Sequence, residues 1–417
     1  MTTPIDGDHS AVRGVGLRCV LVSLCLGQIT SWGVLYYAFT VMSPAISEDT
    51  GWSAPAVTAA FSSALVTSAV LGIAVGRWLD RIGPRAIMTA GALLGPLAMV
   101  GVATAPNFGW FLTAWLTAGV AMSGVLYAPA FAALTRWFGS RAVGALTALT
   151  LVAGLASTVF APLTAALLSQ LGWRSTYLVL TSVLAVVTIP LHFFGLRRTW
   201  PALPTHGVEA PTTTARSRPF VVLTVAFALS ALASYAVVVN LVPLMAQRGI
   251  STAAAAVALG LGGAGQVLGR LGYQALVRRI SVVPRTVIIM AGVAVTTALL
   301  GLFTSLAALI AVAIAAGLVR GIMTLLQATA VTERWGATHY GHLSGILSAP
   351  VMLATALGPF IGAALASLLN GYAAMFLVLG GIAAVAAALA AATATVTSGS
   401  RRRETTAVGQ TERPPTS

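Results

Sequence analysis

Twelve apolar runs of roughly twenty residues, separated by short polar turns, occupy this chain from residue 17 to residue 396. A hydrocarbon layer about 30 Å thick is crossed by about 20 residues of helix, and inside it every backbone N–H and C=O must find a partner within the chain. The runs are therefore expected to be spanning helices, at 17–42, 54–77, 86–105, 109–134, 142–170, 175–196, 220–246, 252–277, 285–303, 306–332, 340–369 and 373–396. A water-soluble core has no place for so much apolar surface, since 58% of the residues are hydrophobic and 8% charged. The first run follows a polar tail and is too long for a cleaved leader, so a retained helix is expected. The expected class is an all-α membrane protein.

The chain has 23 basic residues, all arginine. Short cytoplasmic loops retain Lys and Arg, which fixes an orientation. With the N-terminus inside, 19 arginines fall in cytoplasmic segments: 13, 18, 77, 81, 85, 136, 141, 197, 198, 216, 218, 278, 279, 285, 334, 401, 402, 403 and 413. Only Arg174 and Arg248 fall outside, and Arg270 and Arg320 lie within apolar runs. The +14 net charge thus follows from topology and gives no reason to expect a nucleic-acid partner. Cys19 and Cys25 share the first helix on different sides of it, so neither a disulfide nor a metal site is expected.

The longest polar interruption, 197–219, holds Pro201, Pro204, Pro211 and Pro219 and reads as a flexible linker. The expected organisation is a cytoplasmic tail (1–14), a six-helix bundle (15–196), the linker (197–219), a second six-helix bundle (220–396) and a cytoplasmic tail (397–417). The halves repeat each other. Pro84-Arg85 maps onto Pro284-Arg285 at an offset of 200, Thr135-Arg136-Trp137 onto Glu333-Arg334-Trp335 at 198, and Ala161-Pro162 onto Gly358-Pro359 at 197. Three matches in order at nearly one spacing indicate a parallel duplication, two bundles around a central cavity.

The loop expected after the second helix carries Gly72, Gly76, Arg77, Asp80, Arg81, Gly83, Pro84 and Arg85. Gly72 and Gly76 share a helix face and admit a close neighbour, while Asp80 is suited to an arginine or a helix N-terminus. This stretch resembles the inter-helix signature of the major facilitator superfamily. The resemblance implies twelve transmembrane helices in two pseudo-symmetric six-helix bundles, with Gly76, Arg77, Asp80 and Arg81 as gating residues. Further stretches, Gly51-Trp52-Ser53, Arg136-Trp137-Phe138, Gly172-Trp173-Arg174, Leu241-Val242-Pro243-Leu244 and Gly269-Arg270, are similar to bacterial members of the monocarboxylate and oxalate/formate transporter branch.

Arg320 lies about 14 residues, roughly 21 Å, into the tenth run, near the bilayer centre. Ionised arginine there costs at least about 2.5 kcal/mol and calls for a counter-charge, and the runs as drawn hold no acid. A substrate carboxylate, gripped by the guanidinium fork, meets that need, as do backbone carbonyls and water. Arg270 either reaches toward the arginine-rich side or binds the ligand. The resemblance implies the second, since an eighth-helix arginine of that branch binds the substrate carboxylate. Gln266 stands where eukaryotic monocarboxylate carriers have a proton-coupling aspartate, and the family's lysines in the first and eleventh helices are absent. Asn240, Gln327, Gln28, Tyr36 and Tyr127 are further hydrogen-bonding candidates at cavity depth, and Pro162 and Pro359 are candidate hinges.

No ATP-binding loop or soluble catalytic domain is present, so the chain is expected to be neither an enzyme nor an ATP-driven pump and to use no cofactor. The expected function is secondary active or facilitative transport of a small organic anion, a monocarboxylate, by alternating access in a bacterial-type cytoplasmic membrane. A coupling proton and an exchanged anion both remain open, the resemblance implies a monomer, and the alternative is efflux of hydrophobic or cationic drugs.

Overall fold

The structure, a computed structural model, describes residues 8–201 and 211–411, with side chains described from residue 16 to 393 except at 54, 252, 253, 256 and 359. The expected tails at 1–14 and 397–417, the middle of the linker and the Pro359 side chain therefore lie outside the described side chains. Among the described residues every regular element is helical. Nine segments are long and apolar enough to span a membrane, and one of them, Phe108–Gly195, contains three crossings. Thr252–Arg279 supplies the twelfth helix, its hydropathy diluted by glycines, Arg270 and the terminal Arg278 and Arg279.

We number the helices α1 (8–50), α2 (Ala54–Ile82), α3 (Pro84–Ala103), α4 (108–138), α5 (142–171), α6 (173–195), α7 (Arg218–Gln247), α8 (Thr252–Arg279), α9 (Val282–Leu302), α10 (Leu306–Trp335), α11 (Tyr340–Leu368) and α12 (Tyr372–Thr411). Three are irregular. A π-helical segment, Gly33–Tyr37, interrupts α1 where a side chain at Gly33 would run into the Phe160 ring. Leu126 is extended (φ −80°, ψ −162°) and splits α4 into Phe108–Val125 and Tyr127–Phe138. Gly172, at φ 71° and ψ 168°, separates α5 from α6. Helix α2 differs from expectation in running on to Ile82 and stopping at Gly83 (φ 81°), so Arg77, Asp80 and Arg81 occupy its last turns and not a loop.

The contacts divide the chain into two compact units, Met1–Pro211 with Gln327–Ala356, and Thr212–Leu326 with Leu357–Ser417. The first is built on a core that includes the stacked rings of Phe39 and Phe61, 4.3 Å apart, against Trp115. Leu241, Leu244, Met245, Leu300, Phe376 and Leu379 lie in the core of the second.

An offset of 198 residues recurs in the details of the two units. Ser53 caps α2 by accepting the Ala56 N–H, and Ser251 caps α8 by accepting that of Ala254. Arg174 donates to the Ala105 carbonyl just past α3, pairs with Asp49 at 2.9 Å and stacks on Trp173. Arg248 donates to Leu300 at 2.8 Å and to Phe303, where α9 ends. The two arginines that break the charge bias thus both satisfy the orphan carbonyls of a helix C-terminus.

Helix packing is tightest where glycine meets main chain. In the first unit a side chain on Gly119 would strike the Ala64 carbonyl, and 198 residues on, one on Gly317 would strike that of Gly262. The α8–α10 seam continues with Gly265 against Ile314, Gly269 against Leu318 and Gly321 against Gln266, each meeting a carbonyl oxygen. Gly317→Ala is therefore expected to force α8 and α10 apart at a cost of about 1–3 kcal/mol, read as a lower thermal unfolding midpoint. Gly263→Ala, whose new methyl meets nothing within 4 Å, should leave the midpoint unchanged or higher.

Candidate functional site

Seven residues set the register of the α8–α10 seam, and that register positions the buried charge. Arg320 sits 14 residues from Leu306 and 15 from Trp335, at the middle of α10. Its Nε donates to Gln266 Oε1 at 3.4 Å, directly beside the contact of Gly321 with the Gln266 carbonyl. Arg270 follows Gln266 by one helical turn and is 5% exposed, enclosed by protein and not reaching out to solvent. Arg320 also borders a small cavity with Val237, Leu241, Ala258, Gly262 and Ala313, whose volume of about 10 Å³ accommodates about one water molecule. Apart from the guanidinium its walls are apolar, which strengthens the pull of Arg320 on any anion that reaches it. The sequence from Thr212 to Arg403 contains no Asp or Glu, so no carboxylate along that whole stretch can neutralise the two arginines.

The other candidates on these helices take different roles. Asn240 is buried and donates to the Ala236 carbonyl of its own helix at 2.8 Å, while its amide fills the space beside Gly362. Gln327, half-buried, follows Arg320 by seven residues on α10 and belongs to the first unit.

In the first unit an aromatic group forms around the irregular part of α1. Trp32 lies 5.3 Å from Tyr36 and 4.9 Å from Tyr127, and Tyr127 stacks on Phe131 at 4.9 Å. The π-helical turn brings Tyr36 and Tyr37 to the same side as Trp32, and the break at Leu126 makes Tyr127 the first residue of a new helix. Gln28, fully buried, donates to the carbonyls of Val125 and Leu126 at 2.5 and 3.3 Å, which the broken helix leaves without main-chain partners. Trp32 had been assigned by sequence to packing or the interfacial belt. Its useful signal was the spacing of Trp32 and Tyr36 about Gly33; for the break in α4, it was Pro129 three residues past Leu126.

The gating candidates gather at the end of α2. The Asp80 carboxylate, 5% exposed, accepts the N–H groups of Gly341 (2.9 Å) and His342 (2.8 Å), the first turn of α11. A carboxylate at a helix N-terminus satisfies orphan donors and complements the helix dipole. The helices touch through glycine: a side chain on Gly76 would meet the Gly341 carbonyl, and one on Gly345 would come within 2.8 Å of the Gly72 oxygen. Arg77 and Arg81 are exposed on the outer face. His339, just before α11, is held below the usual histidine pKa by burial and by the nearby Arg136 charge, and so stays neutral at pH 7. Pro162 lies on an exposed face of α5.

The profile of the Major Facilitator Superfamily matches residues 24–306 and 283–416. The chain belongs to this superfamily. Transporters of the superfamily are multi-pass membrane proteins, and this is one. Its twelve helices form two pseudo-symmetric six-helix bundles. Among curated relatives, an uncharacterized 38 kDa protein from the 23S RNA operon of Thermoproteus tenax is 31% identical over 37% of this chain and 40% of its own. The uncharacterized MFS-type transporter YcxA of Bacillus subtilis (strain 168) is 30% identical over 32% of this chain and 33% of its own. The matches thus span well under half of either relative. Among solved structures, the E. coli fucose:proton symporter FucP shares the fold at a TM-score of 0.72 and 13% identity, covering 89% of this chain and 98% of its own. The human organic anion transporter MFSD10 (TETRAN) does so at 0.68 and 17%, covering 90% and 99%.

The Asp80 contact yields a direct expectation. Asp80→Ala removes a charged acceptor worth about 1.5–3 kcal/mol, so amide hydrogen exchange at Gly341 and His342 should accelerate roughly tenfold or more. Unchanged protection there would mean that the carboxylate does not hold α11.

Proposed function

We propose that this transporter carries a small organic anion, a monocarboxylate, by alternating access, as a secondary active or facilitative carrier. The observation that carries the reading is Arg320, held at the middle of α10 in apolar surroundings and in a stretch of sequence without a single carboxylate. A guanidinium so placed gains most from an anion brought by the substrate. Gln266, bonded to Arg320, orients it, and Arg270 one turn further along α8 supplies the second positive charge. Tyr36, Tyr127 and Trp32 offer hydroxyl and ring surfaces to the rest of the substrate, with Gln28 behind them. The order of motifs supports the monocarboxylate and oxalate/formate branch, and the organic anion transporter named among the structural neighbours is in keeping with it.

In this reading the arginine-rich ends face the cytoplasm of a bacterial-type membrane, as do both termini. The bundles 15–196 and 220–396 are the moving halves, and the Asp80 contact with α11 is the closed cytoplasmic gate. The cavity beside Arg320 is too small for a carboxylate larger than a water, so binding requires it to open.

A second reading, a neutral sugar, is favoured by the ring and hydroxyl surface of Trp32, Tyr36 and Tyr127 and by the likeness to the fucose symporter. It leaves Arg320 without a role. The test is thermal stabilisation of the purified protein by acetate, lactate, pyruvate, fucose and tetraphenylphosphonium, beside Arg320→Gln. A ligand at 100 times its Kd adds about 2.7 kcal/mol to the native state. Stabilisation by a carboxylate that disappears in Arg320→Gln is the expected result. Stabilisation by fucose or by the cation, undiminished in that variant, would overturn it in favour of a sugar carrier or a drug efflux pump.

A further inference from the structure

We propose that Trp200 is a positioning residue for the gate, latching the start of the segment between the halves onto the end of α2 that carries Asp80. The inference rests on the reading of Asp80 as a gating residue. It begins with an unsatisfied oxygen. In a continuing helix the Asp80 carbonyl would accept the N–H of residue 84, but that residue is Pro84, which has none. Two side chains from elsewhere take its place: Trp200 Nε1 donates to it at 3.1 Å and Arg136 Nη1 at 3.2 Å.

The rest of the contact is built for this docking. Gly83, required by its φ of 81°, also leaves room for the indole, because a side chain there would come within 2.9 Å of Trp200 Cγ. The Arg136 guanidinium stacks on the Trp200 ring at 4.6 Å and donates to the Pro201 carbonyl at 2.7 Å. Trp137 donates to the Thr199 carbonyl at 3.2 Å and meets Trp200 edge-on at 5.4 Å. Three consecutive residues past α6 are thereby pinned, one from each side of Trp200 and Trp200 itself.

Asp80 is consequently held at both ends. Its main-chain oxygen is tied to 199–201 through Trp200 and Arg136, and its carboxylate is tied to the first turn of α11. Fixing the last turn of α2 aims the carboxylate at the Gly341 and His342 amides. Releasing the latch frees that turn to twist and weakens the cap. The start of the linker therefore sets how firmly the gate closes, which a purely structural cap on α2 would not do.

The full chain, with Cys19→Ser and Cys25→Ala, is spin-labelled at Ile82→Cys and Thr338→Cys and its label-to-label distance measured in lipid nanodiscs. The parent should show one short distance. Asp80→Asn, which weakens the cap directly, should populate a second, longer one. Trp200→Ala should raise the longer population roughly fivefold to tenfold, as expected for one lost hydrogen bond. Trp200→Phe, which keeps the stacking but loses the N–H, should move it less in the same direction and serves if the alanine variant fails to fold. If Asp80→Asn opens the gate while folded Trp200 variants keep the parental distance, the latch is wrong and the gate stands. Should Asp80→Asn leave the distance unchanged, the gate reading falls and the latch with it.

Discussion

Helices in hydrocarbon gain nothing by hiding apolar side chains from one another, since lipid is as apolar as they are, so they associate by close approach. In this transporter that approach is made by glycine against a carbonyl. Gly317 meets Gly262 and Gly321 meets Gln266 in the second unit, Gly119 meets Ala64 in the first, and Gly76 meets Gly341 where α2 touches α11. These contacts fix helix register to within a fraction of a turn. Everything polar in the interior inherits its position from them: the Arg320–Gln266 bond follows from Gly321, and the Asp80 cap from Gly76. A methylene added at any of them displaces backbone, not a yielding side chain.

The charges are distributed unevenly over that scaffold. The first unit pairs its buried acid with helix amides and its outer arginine with Asp49. From Thr212 to Arg403 there is no acid to pair with anything, yet Arg270 and Arg320 are both retained on helices that pack by glycine. Such an arrangement is costly unless a negative group is supplied, which is the physical basis for assigning an anionic substrate to that half. The main-chain carbonyls left open by Pro84, Leu126 and the ends of α3 and α9 are satisfied by Trp200, Arg136, Gln28, Arg174 and Arg248. The polar side chains outside the arginine site thus serve chiefly to close the backbone's own accounts.

The sequence made the helices, the linker and the duplication legible because each has a long-range signature: length for a span, prolines for the linker, and a recurrent offset for the repeat. The 198-residue offset reappears in the capping serines and in the Gly119 and Gly317 contacts, where repeated packing requires repeated small residues. Local irregularities were harder to read. The extension of α2 to Ile82 was hidden because its last turns are charged, and hydropathy cannot distinguish a polar helix end from a loop. The π-helical turn at Gly33–Tyr37 depends on the Phe160 ring, more than 120 residues away, and no local pattern announces it. Asn240 looked like a ligand from its depth alone, but depth does not give the rotamer, and its amide turns back onto Ala236. Trp200 escaped notice because a single tryptophan in a proline-rich linker carries no period.

The central claim, that Arg270 and Arg320 serve a transported carboxylate, is most directly tested by counterflow into proteoliposomes. Purified protein would be reconstituted and loaded with unlabelled acetate, lactate or pyruvate, and the entry of the same compound in radiolabelled form followed, beside fucose and tetraphenylphosphonium. The account predicts counterflow of at least one carboxylate, competition by the others, and loss of that flux in Arg270→Gln with the protein still folded. Flux of fucose or of the cation with none of any carboxylate, continuing at the parental rate in Arg270→Gln, would contradict it.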